Sequence, residues 1–349
     1  VGDQYLIGMK LAGFRCIKNV ESKLTRLHAF IGPNDSGKSS ILHAIHASIS
    51  YVDFAFGFHE RATPDNTGGR LLQLPLCEFT IDDQTSFGIT PGDKPEELGK
   101  AFVRSGPGTS FPKKPGAGDQ VHGNVHTLPV WKEVVSSRFV KLDPYEMSLP
   151  AQINRPEAFL SESQKTFRVA GILDAVMNRN PRDFLDIEDR FLKLFPTVRS
   201  LRLEVSGVGV KQISVELSDG SIVPPDTMSE GMLYFLGIAV LPYLQPVSVV
   251  LIEEPENGLH PSRIAEIMKI LRELSKTSQV LLSTHSPLVI NELHDDEVTL
   301  VTRTESAGTR LTPIANTKEF HKRRQVYALG ELWLSYADGD QESSLVPQK

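Results

Sequence analysis

Gly32-Pro33-Asn34-Asp35-Ser36-Gly37-Lys38-Ser39 follows an apolar run, Leu27 to Ile31, and precedes a helix-like run, Ser40 to Ser50. Strand, glycine-rich loop, helix is the context a phosphate-binding loop requires. The glycines let the backbone turn back on itself, so that its N–H groups point at one phosphate cluster. The helix N-terminus adds partial positive charge at the same place. Lys38 is expected to bridge the outer phosphates, and the Ser39 hydroxyl to ligate Mg²⁺. Gly32, Pro33, Asn34, Asp35, Ser36, Gly37, Lys38, Ser39 and Ser40 are therefore the candidate nucleotide-binding residues.

Val247 to Ile252 is a continuous apolar, β-branched run, as expected for a strand buried on both faces of a parallel sheet. Glu253 and Glu254 follow it. Beside a phosphate loop, one acid is expected to hold Mg²⁺ through water and the next to polarise the attacking water as general base. Adjacent strand residues point to opposite sides, so the two acids are not equivalent. Glu253 is the metal-side acid and Glu254 the base. Val280 to Leu282 is a second buried strand, ending in Ser283-Thr284-His285. At the same sheet edge, the His285 imidazole is placed to hydrogen-bond the terminal phosphate or the attacking water. Lys38, Glu254 and His285 form the catalytic set, and Ser39 and Glu253 the metal set.

The rest of the chain supports an α/β fold. Tyr5 to Phe14 and Leu24 to Ile31 read as strands, and Leu71 to Ile81 has strand composition. Phe14-Arg15 either touch a nucleotide base or are a core Phe and a surface Arg. Residues 85–129 are dense in Gly and Pro and read as a surface insertion, partly mobile. Trp131 to Leu142 returns to ordered pattern. Residues 150–196 read as a helical lobe, broken into two helices at Pro181. Leu201 to Val205 and Ile213 to Leu217 alternate as a β-hairpin. Pro261 to Leu274 has helical spacing, with Pro261 suited to a first turn. A strand pair spans Glu297 to Thr302 and Arg310 to Ile314. Residues 316–349 carry a last helix, Val326 to Tyr336, and a polar tail. No heptad run is sustained, so no long coiled-coil arm is expected. The reading is one domain over residues 1–349.

Composition sets limits. The 349 residues are 40% hydrophobic and 23% charged, with no apolar run long enough to span a bilayer. No secretory segment opens the chain, and Cys16 and Cys77 are the only cysteines, so a reducing cytoplasm is expected. The net charge of −6 argues against a globally basic nucleic-acid binder, though not against a local basic face.

Taken together the motifs resemble the ABC-type ATPases of the RecF, SMC and OLD kind. Gly32 to Ser39 looks like Walker A, and Val249 to Glu254 like Walker B with its catalytic Glu. Glu256-Asn257-Gly258-Leu259-His260-Pro261 occupies the D-loop place, and His285 matches the switch His. The strings Ile252 to Pro261 and Ser283 to Pro287 are most like the OLD-like AAA ATPases, and no TOPRIM domain is expected here. Met228-Ser229-Glu230-Gly231-Met232 matches the signature loop in part: Ser229 and Gly231 keep register, Glu230 and Met232 do not. The resemblance implies an ABC-type P-loop ATPase head that binds ATP and Mg²⁺. It also implies that Ser229 and Gly231 cap the nucleotide of a second copy, in a homodimer or higher even oligomer. Gln73 and Gln152 are both candidates for the Q-loop.

Other motifs are weaker. Asp338-Gly339-Asp340 reads as solvated tail, and His122 and His126 as solvated loop histidines. His321-Lys322-Arg323-Arg324 is either a solvated helix face or a phosphate-backbone contact. No TOPRIM domain is expected after the ATPase core. The expected role is accordingly an ATPase subunit of a prokaryotic antiphage defence assembly, regulating a nuclease or toxin on a separate chain. The alternative is a RecF- or SMC-like repair ATPase acting on DNA itself. No membrane partner is expected.

Overall fold

The computed structural model describes residues 5–56, 76–82, 85–90, 100–105, 136–152, 167–244, 246–304, 307–317 and 320–336. Its contacts divide the chain into two units, one of residues 1–139, 247–254 and 275–349, the other of 140–246 and 255–274.

The first unit is organised by strands with no polar face. β3 (Leu27–Ile31) and β13 (Gln279–Thr284) are buried throughout, and β12 (Val249–Glu253) is buried up to its last residue. Such strands need cover on both sides, which is the situation of a central parallel sheet. β12 runs parallel to β13, with Glu253 opposite Ser283, and β13 runs parallel to β3, with Thr284 opposite Ile31. β14 (Val298–Thr304) joins β3 in parallel, and β15 (Gly308–Pro313) returns antiparallel to it. With β7 (Ser137–Val140) at the far edge, the sheet order is β15-β14-β3-β13-β12-β7.

A second, antiparallel sheet of the same unit has the order β2-β1-β4-β5-β6. These strands are β1 (Gly8–Phe14), β2 (Ile17–Lys23), β4 (Leu76–Asp82), β5 (Thr85–Thr90) and β6 (Lys100–Ser105). Helix α1 (Lys38–Phe56) shares one core with both sheets. Ile41, Leu42, Ile45, Ile49 and Val52 cluster with Met9, Leu11, Phe79 and Phe87, and with Phe30, Leu251 and Leu281. Each fully buried side chain of this size contributes roughly 1.5–3 kcal/mol. Later in the chain come α7 (Pro287–Asn291), α8 (Phe320–Arg324) and α9 (Leu329–Tyr336), with α9 packed on α7.

Two stretches differ from expectation. β2 was not legible: Ile17 and Val20 are spaced by three, and its buried positions do not alternate. It is the edge strand of its sheet, and Lys18, Asn19, Glu21 and Lys23 are exposed. The insertion expected from residue 85 instead begins with β5 and β6, a ladder continuing from β4. Gly88 reads as a loop residue, yet a Cβ there would collide with the Cys77 carbonyl, so this strand crossing requires glycine. Lys113-Lys114, His122, His126, Gln73 and Asp338 to Asp340 lie outside the described residues.

The second unit contains α2 (Pro144–Ser148), β8 (Ala151–Gln152), α3 (Val169–Arg179), α4 (Pro181–Leu194), β9 (Val198–Gly207), β10 (Val210–Leu217), β11 (Ile222–Val223), α5 (Glu230–Ala239) and α6 (Ile264–Leu274). The break between α3 and α4 comes from Asn180, which caps α4 by accepting the Arg182 N–H, with Pro181 as its first helical residue. β9 and β10 form the expected hairpin and β8 and β11 extend its sheet. Phe191, Phe195 and Phe235 meet with centroids 4.7–6.2 Å apart, joining α4 to α5. No helix among the described residues is long and apolar enough to cross a membrane.

His28 on β3 is 2% exposed and held between two threonines, Nδ1 to Thr25 Oγ1 at 3.1 Å and Nε2 to Thr299 Oγ1 at 2.9 Å. Burial pushes its pKa down to about 4, against a smaller opposing pull from the Glu297 charge. The unfolded chain therefore binds a proton here between about pH 6.5 and 4 that the folded chain refuses. The contribution is fully present above pH 6.5 and falls by roughly 3 kcal/mol as pH drops through that window. Denaturant unfolding at several pH values should show this slope, and His28→Gln should flatten it between pH 5 and 6.5. An unchanged slope in the variant would contradict it.

Candidate phosphate-binding site

The loop between β3 and α1 is built by close backbone packing. Asp35 (φ 63°) and Gly37 (φ 108°) take left-handed conformations, and the Lys38 N–H begins the helix. A Cβ at Gly32 would run into the Val301 carbonyl, and one at Gly37 into the Thr309 hydroxyl and Cys16 thiol. The glycines are thus required by neighbours as well as by the turn. Lys38, 6% exposed, donates to the carbonyls of Gly32 at 2.7 Å and Pro33 at 2.8 Å. Its ammonium is held over the loop where an anion would meet it.

Cys16, Asn34, Asp35, Gly37, Lys38, Ser39, Ser40, Glu254 and Arg303 line one pocket of about 320 Å³. Here the structure brings the glycine-rich loop to the residue after β12. Glu254 adopts φ 44°, a conformation that costs a non-glycine residue of order 1–3 kcal/mol. Its N–H donates to the Ser283 carbonyl at 2.9 Å, and its Oε1 lies 3.1 Å from His285 Nδ1. Glu253, the last residue of β12, is not in the lining. Its Oε1 is buried with no hydrogen-bond partner, as is the hydroxyl of Ser36. A buried carboxylate oxygen without a partner, on the residue next to the pocket-lining Glu254, is a ligand atom that a bound cation would satisfy.

Two lining residues carry no sequence signal. Arg303, at the end of β14, donates to the Asp35 carbonyl at 3.4 Å and puts a second cation at the pocket. Cys16 lies in the β1–β2 turn next to Arg15, which takes φ 51°. Burial tends to raise the Cys16 pKa, but hydrogen bonds with Thr309 and Ser40 and the Arg303 charge leave it below its ordinary value. Phe14 packs against the core cluster and carries Arg15 over its ring at 5.1 Å, and neither lines the pocket.

The remaining candidates belong to the second unit. Ser229 caps α5 by accepting the Met232 N–H at 3.3 Å. A Cβ on Gly231 would lie 3.0 Å from the Gly258 carbonyl and 3.2 Å from Arg263 Nη1. Gly258 itself has φ 70° and backs onto the Tyr234 ring. The signature-like loop and the Glu256 to Pro261 string are therefore packed together. Gln152 on β8 pairs with Val210 and lies in this unit too. A larger crevice, about 750 Å³, is lined by Pro144, Tyr145, Pro224, Pro225, Asp226 and Glu230 among others. With acids and no base among its described lining residues, it does not suit phosphate.

The family described as "AAA domain, putative AbiEii toxin, Type IV TA system" matches residues 130–291, and "AAA ATPase domain" matches residues 5–105. The chain is 24% identical to the endonuclease GajA of Bacillus cereus (strain VD045), covering 84% of this chain and 58% of that protein. It is 23% identical to the Old nuclease of Escherichia phage P2, covering 91% and 62%. It thus spans about three-fifths of the length of these curated relatives. Among solved structures it resembles an SMC head bound to the C-winged helix domain of ScpA, with a TM-score of 0.56, 15% identity and coverage of 88% and 97%. An SMC head with an extended coiled coil, bound to the C-terminal domain of ScpA from Pyrococcus furiosus, gives 0.50, 15%, 88% and 96%. The two family matches, the OLD and GajA relatives and the SMC-head likeness support an ABC-type AAA ATPase of the RecF, SMC and OLD kind. Its α/β fold is that of an ABC-type head, with no coiled-coil arm among the described residues.

The pocket supplies its own probe. Cys77 is buried, which pushes its thiol up to about 12, so a thiol reagent near neutral pH should modify Cys16 alone. ATP should slow that modification in the wild-type chain and not in Lys38→Ala. Equal labelling rates with and without ATP in the wild type would place the nucleotide elsewhere.

Proposed function

We propose that this ATPase binds ATP with Mg²⁺ between the Gly32 to Ser40 loop and the Glu253-Glu254 strand end, and hydrolyses it with Glu254 as general base. The observation that carries this reading is the single pocket joining Lys38, Ser39 and Glu254, with His285 hydrogen-bonded to Glu254. In this reading loop N–H groups, Lys38 and Arg303 neutralise the phosphates, and Ser39 and Glu253 hold the metal. A Mg²⁺ held there would supply Lewis-acid polarisation of the terminal phosphate. Glu254 takes the proton of the attacking water, and His285 orients the carboxylate and the terminal phosphate.

We further propose that two copies pair head-to-tail about ATP, Ser229 and Gly231 of each capping the nucleotide of the other. The exposed α5 N-terminus, whose N–H groups follow the Ser229 cap, supports this. ATP favours the paired state because both copies hold its γ-phosphate, and hydrolysis releases it. Such a cycle suits a switch that regulates a nuclease or toxin effector in a prokaryotic antiphage defence assembly, with the chain working in the cytoplasm. The relatives named as nucleases and the family described as a putative toxin support the effector class. Direct action on DNA is the alternative. It draws on His321 and Lys322, which are exposed on α8, whereas Arg324 is engaged by Asp295 at 2.9 Å.

Lys38→Ala should abolish ATP binding in calorimetry, because it removes the charge that meets the outer phosphates. Glu254→Gln should bind ATP and turn it over about 10²–10⁴-fold more slowly. Wild-type affinity in the first variant, or wild-type turnover in the second, would refute the site. In light scattering, Glu254→Gln should double its mass with ATP, and adding Ser229→Arg should prevent this while leaving ATP affinity intact. The same mass with and without the Ser229 change would end the pairing proposal.

A further inference from the structure

The backbone of His285 is tied on both sides. The indole Nε1–H of Trp333, a residue of α9 only 3% exposed, donates to the His285 carbonyl at 3.2 Å. The next amide, Ser286 N–H, donates to the Thr284 hydroxyl at 3.0 Å. Both polar groups of the peptide joining residues 285 and 286 are therefore held, and a planar peptide with both ends held has little freedom to rotate. That fixes the direction in which the His285 side chain leaves the end of β13, and its Nδ1 reaches Glu254 Oε1 at 3.1 Å.

Helix α9 is fastened to the same segment at a second point. The Gly330 backbone lies so close to the Pro287 carbonyl that a Cβ at position 330 would overlap it. The Gly330 N–H donates to Asn291 Oδ1, at the end of α7, at 2.7 Å. α9 therefore grips the chain at residues 285, 287 and 291, immediately after the strand that delivers His285. None of Trp333, Gly330 and Asn291 lines the phosphate pocket.

We propose that Trp333 is a positioning residue for His285, and that α9 sets the geometry of the Glu254–His285 pair from outside the nucleotide pocket. This rests on reading those two residues as the hydrolytic pair. Trp333 touches no reacting atom, so its removal should leave ATP binding intact and change only the step in which the imidazole must be correctly aimed. A misplacement of about 1 Å costs up to roughly 10²-fold in rate.

Trp333→Phe keeps an aromatic ring in the core and deletes the N–H donor. Its kcat is expected to fall about tenfold, while KM and the calorimetric ATP affinity stay within about twofold of wild type. In a His285→Ala background the same change should cost nothing further, since there is no imidazole left to position. In the nucleotide-free chain, amide hydrogen exchange across residues 284–286 should speed up. Asn291→Ala, which loosens α9 without touching the indole, should act in the same direction and decides the matter if the Trp333 variant does not fold. Wild-type kcat in the variants overturns the inference, as does a Trp333→Phe loss that multiplies with that of His285→Ala, or a parallel fall in affinity. A wild-type chain that neither binds nor hydrolyses ATP would overturn the site reading and this inference with it. Hydrolysis abolished by Glu254→Gln but indifferent to Trp333 overturns this inference alone.

Discussion

Three buried strands running the same way in fixed register are the constraint on which this molecule depends. β3, β13 and β12 have no polar face, so they occupy the middle of a sheet covered on both sides, and their pairing is parallel. Register then sets Ile31 beside Thr284 and Ser283 beside Glu253. Whatever follows each strand must emerge at one edge. The glycine-rich loop follows the first, His285 the second and Glu254 the third. A one-residue slip would reverse every side chain and separate these groups.

Local chemistry refines what register brings together. Gly32 and Gly37, having no Cβ, let the loop pack closely against the Val301 carbonyl, the Thr309 hydroxyl and the Cys16 thiol. Lys38 is buried yet satisfied by two loop carbonyls, so its charge is kept at the pocket instead of being lost to solvent. Glu254 leaves β12 in a left-handed conformation, which turns it off the strand path and into the pocket lining beside His285. Strain of this kind persists where surrounding bonds over-determine it, here the Ser283 carbonyl and the imidazole.

Much of this was legible in the chain because its signals are local. A buried strand reads as an apolar run, and a phosphate loop as glycines, a lysine and a hydroxyl at fixed spacing, so β3, β12, β13 and α1 were readable directly. The hairpin of β9 and β10 and the break at Pro181 were equally plain. What escaped depends on distant partners. β2 is a polar edge strand whose pairing with β1 leaves little alternation. β5 contains Gly88, whose place is dictated by a carbonyl on the neighbouring strand. Arg303, Cys16 and Trp333 belong to no motif. Arg303 and Trp333 reach the site from positions 268 and 48 residues away from their partners. Spacing rules see the residues that make the loop, and not those the fold brings to it.

The central claim is that one nucleotide is held by the Gly32 to Ser40 loop, Glu253, Glu254 and His285 together. The most direct measurement is a crystal structure of Glu254→Gln with ATP and Mg²⁺. The account predicts the γ-phosphate within hydrogen-bonding reach of Lys38 Nζ and His285, with the metal on the Ser39 hydroxyl and facing Glu253. A nucleotide bound away from the loop, or phosphates in the loop with Glu253, residue 254 and His285 all turned from them, would contradict it.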